Sequence, residues 1–305
     1  MNLGQAKNVL IIAFLGLNLF LGYQLFWPNF GRLTNVAVTA EELSAVEDTL
    51  NDNNYYLETS VDRGVKKSKF LKVSPHWGFQ ESVVEKFIDQ GAEIVSAQDP
   101  VYYRLDDVVV LEHQSGLLQM IYNPGVPLDD DLDDPKDLDD DDLHGLVEEF
   151  LIENELMPEG IRFDYVEKID ENAEKKEVIF NQEFDDRPIF AGHFRVVVEK
   201  GTIKTVDMFW LKPIERIPER EMEVIPASDA LHNLLNKLGP STKEHKIKDI
   251  ELGFYSGEYE AEKWEIPPVW RVSIDENEHY YINAFTGNPE QDLLIPEKLP
   301  GDDNK

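Results

Sequence analysis

The chain of 305 residues carries 61 aspartates and glutamates against 29 lysines and arginines, a formal net charge of -32. Binding nucleic acid or an anionic wall or lipid polymer would cost such a surface Coulomb energy and counterions, so nucleic acid is excluded as a partner. The absence of cysteine removes disulfides, thiolate metal sites and thiol redox chemistry.

Taken in chain order, the first element is Asn8 to Trp27, NVLIIAFLGLNLFLGYQLFW, which is nearly all apolar, with Asn18 at its centre. As a helix, Val9 to Phe26 covers roughly 27 Å, close to a hydrocarbon core of about 30 Å. No small-residue cleavage site follows, so the expectation is a retained transmembrane helix over residues 9–27, with Tyr23 and Trp27 at an interface and Pro28 ending it. Lys7 and the terminal amine precede it without an acid, which places residues 1–8 in the cytoplasm and roughly 275 residues outside, enough for two ordinary cores. Ile11, Leu15, Asn18 and Gly22 recur at spacings of four, three and four and share one helix face. Gly22 lets a second backbone approach and Asn18 can bond across the contact, so this face is the candidate partner-binding site.

Residues 35–125 read as a first extracytoplasmic domain. Thr39 to Glu42 form a capping box, after which Leu43, Val46 and Leu50 make one helix face. A second helix is expected from Gln80 to Gln90, with Val84, Phe87 and Ile88 inward and Gly91 as its stop. Tyr55 to Val61, Phe70 to Val73, Val101 to Glu112 and Leu117 to Tyr122 read as strands, the last two joined at Gln114-Ser115-Gly116. Residues 126–142 read as an acidic linker, since DDDLDDPKDLDDDD, Asp129 to Asp142, holds ten aspartates in fourteen residues. Charge this dense extends a chain, and the run lacks the glycine and glutamate positions of a calcium-binding loop.

Residues 143–296 read as a second domain, followed by a polar tail, 297–305. Its first helix carries Leu143, Leu146, Val147, Phe150 and Leu151. Four strands follow, with turns at Asp185 to Pro188 and at Lys200-Gly201, and with Val206, Met208 and Trp210 alternating in the last. A helix through Ala230, Leu231, Leu234, Leu235 and Leu238 ends at Gly239-Pro240 and leads into strands near Ile247 to Tyr255, Val269 to Ile274 and Tyr280 to Phe285. The expected class is α+β: one N-terminal transmembrane helix, then two domains of antiparallel sheet with helices on one face, a weak internal repeat.

The motifs of chemistry are missing. The seven histidines fall at no zinc-helix spacing, and neither a nucleophile elbow nor a phosphate or dinucleotide glycine loop is present. Paired carboxylates carry little weight in a chain this acidic. His193 and His76 read as packing or surface residues. No catalytic residue, cofactor or metal is expected, and the chain reads as non-enzymatic.

FLGLNLFLGYQLF, then IFNQEFDDRPIF with GTIKTVDMFWLKP, then IELGFYSGE with PPVWRVSIDENEHYYINAFTGNPE, resemble in order the YycI family. That resemblance implies a single-pass membrane regulator of the essential WalK (YycG) sensor histidine kinase of Gram-positive bacteria. It implies assembly with YycH in the bilayer and control of cell-wall homeostasis signalling without chemistry of its own. The competing class is an anchored extracytoplasmic protein that binds or remodels a wall ligand itself.

Overall fold

Caps and apolar period begin the helices. In a computed structural model of the chain, residues 37–128, 139–169, 174–217, 221–257, 261–276 and 278–290 are described, with Phe14, Leu17 and Asn18, which are helical. The chain divides into two compact units, Met1–Ala37 and Val38–Lys305. In the second, α1 (Ala40–Asp52) starts at the capping box: the Glu42 N–H donates to Thr39 Oγ1 at 3.2 Å and the Thr39 N–H to the Glu42 carboxylate at 2.9 Å. The next helix, α2 (Trp77–Asp89), begins three residues earlier than expected, because His76 Nδ1 accepts the Phe79 N–H at 3.0 Å and caps it. Its buried stripe therefore runs through Gln80, Val83 and Val84 with Phe87 packed beside it, and Ile88, expected inward, is 44 % exposed. The remaining helices are α3 (Asp140–Glu153) and α4 (Ala227–Leu238).

The strands are β1 (Tyr55–Leu57), β2 (Lys67–Ser68), β3 (Leu71–Pro75), β4 (Glu93–Ser96), β5 (Val101–Leu105), β6 (Val108–Glu112), β7 (Leu117–Pro127), β8 (Ile161–Lys168) and β9 (Lys175–Glu183). They continue with β10 (Pro188–Glu199), β11 (Thr202–Phe209), β12 (Leu211–Arg216), β13 (Met222–Glu223), β14 (His245–Phe254), β15 (Trp264–Ile266), β16 (Pro268–Ile274) and β17 (Glu278–Asn283). Val101 to Glu112, expected as one strand, is a hairpin turning at Asp106, whose φ of 48° is one that aspartate tolerates.

Twelve of these strands form one sheet, in the order β17-β16-β14-β10-β11-β7-β6-β5-β4, with β1 on β14 and β8 and β9 extending from β10. Most neighbours are antiparallel; β1 and the start of β10 run parallel to β14. Two helix-on-sheet lobes result. In one, Val83 and Val84 of α2 and Leu143, Val147, Phe150 and Leu151 of α3 pack on Leu118, Phe180, Phe194, Val206 and Trp210 of the strands. In the other, Leu50 of α1 and Leu231 and Leu234 of α4 pack on Ile247, Trp270, Val272 and Ile282. Beside the junction lies a small sheet, β12-β3-β15, whose Leu71, Val73 and Ile266 pack with Ile189 and Phe254.

The acidic run does not divide this architecture. Strand β7, just before it, pairs with β11, well after it, and α2 and α3 share one core across it. Positions 129–138 lie outside the described residues. Asp139 caps α3 by accepting the Asp142 N–H at 2.8 Å, and Asp140 to Asp142 fill the first helical turn, where the helix dipole favours negative charge. The last aspartates of the expected linker are thus a helix start.

Candidate functional site

Strand alternation sends one side-chain set toward the helices and the other to the opposite face. On β16, Trp270, Val272 and Ile274 enter the core beneath α1 and α4, so Arg271 and Ser273 face away from it. Register then sets Arg271 directly between Glu251 of β14 and Tyr281 of β17. From the other lobe, β8 brings Arg162 and Asp164 to the same place.

The contacts are close and polar. Arg271 Nη1 donates to Asp164 Oδ2 at 2.5 Å, and the two side chains are 5 % and 7 % exposed. Asn181 Nδ2 donates to the same carboxylate oxygen, also at 2.5 Å. Arg162 donates from Nη1 and Nη2 to the two carboxylate oxygens of Glu251, at 2.8 and 2.9 Å, a fork that lysine has no means of making. The Arg271 guanidinium lies 4.3 Å from the Phe190 ring centroid, and Tyr165 of β8 stands 4.7 Å from His279 of β17. Arg162, Asp164, Tyr165, Arg271 and His279 line a cleft of about 540 Å³ that also takes in Lys168 and Lys248.

Electrostatics follow from burial and pairing. Burial alone would lower the Arg271 pKa, but Asp164, by charge and hydrogen bond, and then Tyr281 and Glu251 raise it, so Arg271 stays charged. Burial, and after it the Arg271 charge, pull His279 down to about 4, so its imidazole is neutral at ordinary pH. Ser273 Oγ lies 2.9 Å from His279 Nδ1. What the arrangement can do is hold the two lobes in one relative position through one desolvated pair, Arg271 with Asp164, and one half-buried pair, Arg162 with Glu251. Among the described residues, no group of three His, Asp or Glu side chains could hold a metal ion.

The sequence-based partner face is placed in part. Asn18 is helical and exposed, beside Leu17, 55 % exposed, and Phe14, 65 % exposed. Ile11, Leu15 and Gly22 lie outside the described residues. Among the described residues, no helix is long and apolar enough to cross a membrane. His193 is half-buried and held near 3 by desolvation and by Arg195, and His76 caps α2. The inter-lobe charges escaped sequence reasoning, although one signal was there: in PPVWRVSI a lone arginine interrupts an apolar strand, and a buried arginine demands a carboxylate.

The family model described as YycI protein matches residues 34–285. The chain belongs to the YycI family. That family is a regulatory one, associated with the WalK (YycG) kinase system. Among curated proteins none matches the chain. Among solved structures, the chain is similar to an uncharacterized protein from Eubacterium rectale ATCC 33656, at 12 % identity and a TM-score of 0.48, covering 82 % of this chain and 98 % of that one.

Proposed function

We propose that the chain is a membrane-anchored, non-enzymatic regulator of the WalK (YycG) sensor histidine kinase, acting together with YycH. The observation that carries this reading is the family match over residues 34–285. The apolar run from Val9 to Phe26 supports the anchor: residues 9–27 cross a Gram-positive cell membrane once, the N-terminus is cytoplasmic and the remainder extracytoplasmic. Regulation then needs no chemistry. A contact that favours one kinase conformation over another by a few kcal/mol shifts the kinase's population by that amount. In the bilayer the contact face is Ile11, Leu15, Asn18 and Gly22, where an amide without water gains from a partner and a glycine admits one.

Affinity purification of the intact protein in mild detergent tests the reading. Recovery of the kinase and YycH is expected. Asn18→Leu and Gly22→Ile should each weaken recovery at matched expression, and Phe20→Leu, on the opposite face, should not. Recovery of wall glycan or its hydrolysis products in place of the kinase would overturn the proposal in favour of an anchored wall-binding or wall-remodelling protein. Equal recovery by wild type and both face variants would remove that face from the interface.

A further inference from the structure

The long sheet ends at β4, and among the described residues no strand pairs with the outer edge of β4. A free edge offers a row of backbone N–H and C=O groups to any extended chain that can reach it, and proteins ordinarily guard such edges with charge or proline. Here the edge carries two aliphatic residues beside a single acid, Glu93. Ile94 is 60 % exposed and Val95 51 %, and both are more exposed than any other large apolar residue described from Val38 onward except Ile152. Register puts Ile94 opposite the buried Tyr103, on the sheet face that carries α2, and the last turn of α2 presents Ile88 at 44 % exposed. The ladder shifts register between Ile94 and Ser96, so Val95 stands out of the pairing with β5.

The surroundings are acidic. From Phe87 to Tyr103 the chain holds Asp89, Glu93 and Asp99 and no base, and the one base on the neighbouring strand, Arg104, stands opposite Glu93 and lies over the Tyr102 ring. The nearest preceding base, Lys86, is already engaged by Glu155. A second copy of the chain would bring the same acids to the edge, on a molecule whose net charge is already -32.

We infer that β4 is a docking edge for an extended segment of another protein in which aliphatic and basic residues alternate. Such a segment adds a strand outside β4. Its aliphatic side chains cover Ile94 and Ile88 on the face that carries α2, and its bases, on the other face and past the end of β4, meet Glu93 and Asp99. This inference stands on the sheet edge and does not depend on the kinase or on the membrane helix.

The test uses the full-length chain in neutral detergent and two fluorescent hexapeptides, Lys-Val-Lys-Val-Lys-Val and its twin N-methylated on every backbone amide, which has the same charge and side chains but no backbone N–H donor on either edge. Anisotropy should show the unmodified peptide binding at least about tenfold tighter than the twin. Hydrogen exchange should slow at Glu93 to Ser96 when the peptide is added. Equal binding of the two peptides would show mere attraction of cations to an acidic protein and overturn the inference. So would exchange at 93–96 that is unchanged by peptide, or that already slows with protein concentration alone, since the latter marks the edge as a contact between copies. Val95→Pro should abolish the preference for the unmodified peptide, and Ile214→Pro, on the separate small sheet, should leave it intact.

Discussion

The two lobes are built by opposite routes. The lobe under α2 and α3 takes consecutive chain, from Trp77 to Trp210, and its strands pair largely with their sequence neighbours through hairpins. The lobe under α1 and α4 takes α1, β1 and Val61 from the first part of the chain and the rest from beyond Met222. Asn54 Nδ2 donates to the Ser241 carbonyl across 187 positions, and Lys248 Nζ to Glu58 across 190. The first lobe therefore closes short loops, and the second closes only after most of the molecule has been made. A core assembled late from distant pieces draws less on local pairing and more on its few large side chains and on the charges that join it to its neighbour.

The largest effects should come from those side chains. Trp210, 2 % exposed in the first core, and Trp270, 2 % exposed in the second with its Nε1–H donating to the Ile225 carbonyl at 2.9 Å, should each cost about 3 to 5 kcal/mol when replaced by alanine. Urea unfolding followed by near-ultraviolet and far-ultraviolet circular dichroism separates the outcomes. One coincident transition in both variants would show the lobes to be a single cooperative unit. A biphasic curve in Trp270→Ala alone would show that the late-closing lobe opens by itself.

The inter-lobe pair comes next. Asp164→Ala leaves Arg271 buried without its main counter-ion and should cost about 3 kcal/mol, whereas Asp164→Leu combined with Arg271→Met removes both charges and should recover most of it. If the double variant is as unstable as the single, the charges were not the quantity that mattered.

Acidification should act in opposite directions on the depressed histidines, His279 and His193, and on the buried carboxylates Asp207 and Glu177. His279, in the second lobe, has a folded pKa lowered to about 4, so the unfolded chain takes up its proton first. The stability it supplies should fall as pH drops from about 6.5 toward 4, by on the order of 2 kcal/mol, and His279→Gln should flatten that slope. Asp207 and Glu177, in the first lobe, have folded pKa values raised mainly by burial. For these the folded state holds the proton more tightly, so their contribution is full at acid pH and is lost as pH rises through their folded pKa. Asp207→Asn should reduce the gain on acidification. Chemical denaturation at a series of pH values reads both slopes.

The smallest effects should be at the helix starts. Thr39 caps α1 and Asp139 caps α3, one in each lobe, and alanine at either should cost about 1 kcal/mol. A much larger loss at Asp139 would give the acidic run a structural weight beyond one cap.

By itself the sequence determined the helices that have clear starts and stripes: α1 at its capping box, α4 ending at Gly239, and α3 with Leu143, Val147, Phe150 and Leu151 buried as their spacing requires. It also determined the alternation of Val206 and Met208 and the family. These are properties of three to ten neighbouring residues, and local sterics and apolar period are enough to fix them. Only the tertiary structure decided that β1 joins β14, that the sheet runs past the acidic run, that Ile88 and Ile94 stay exposed, and that Arg271 finds Asp164. Each of these depends on which distant strand lies alongside. Pairing between strands has no local signature when almost every strand carries the same two-residue alternation.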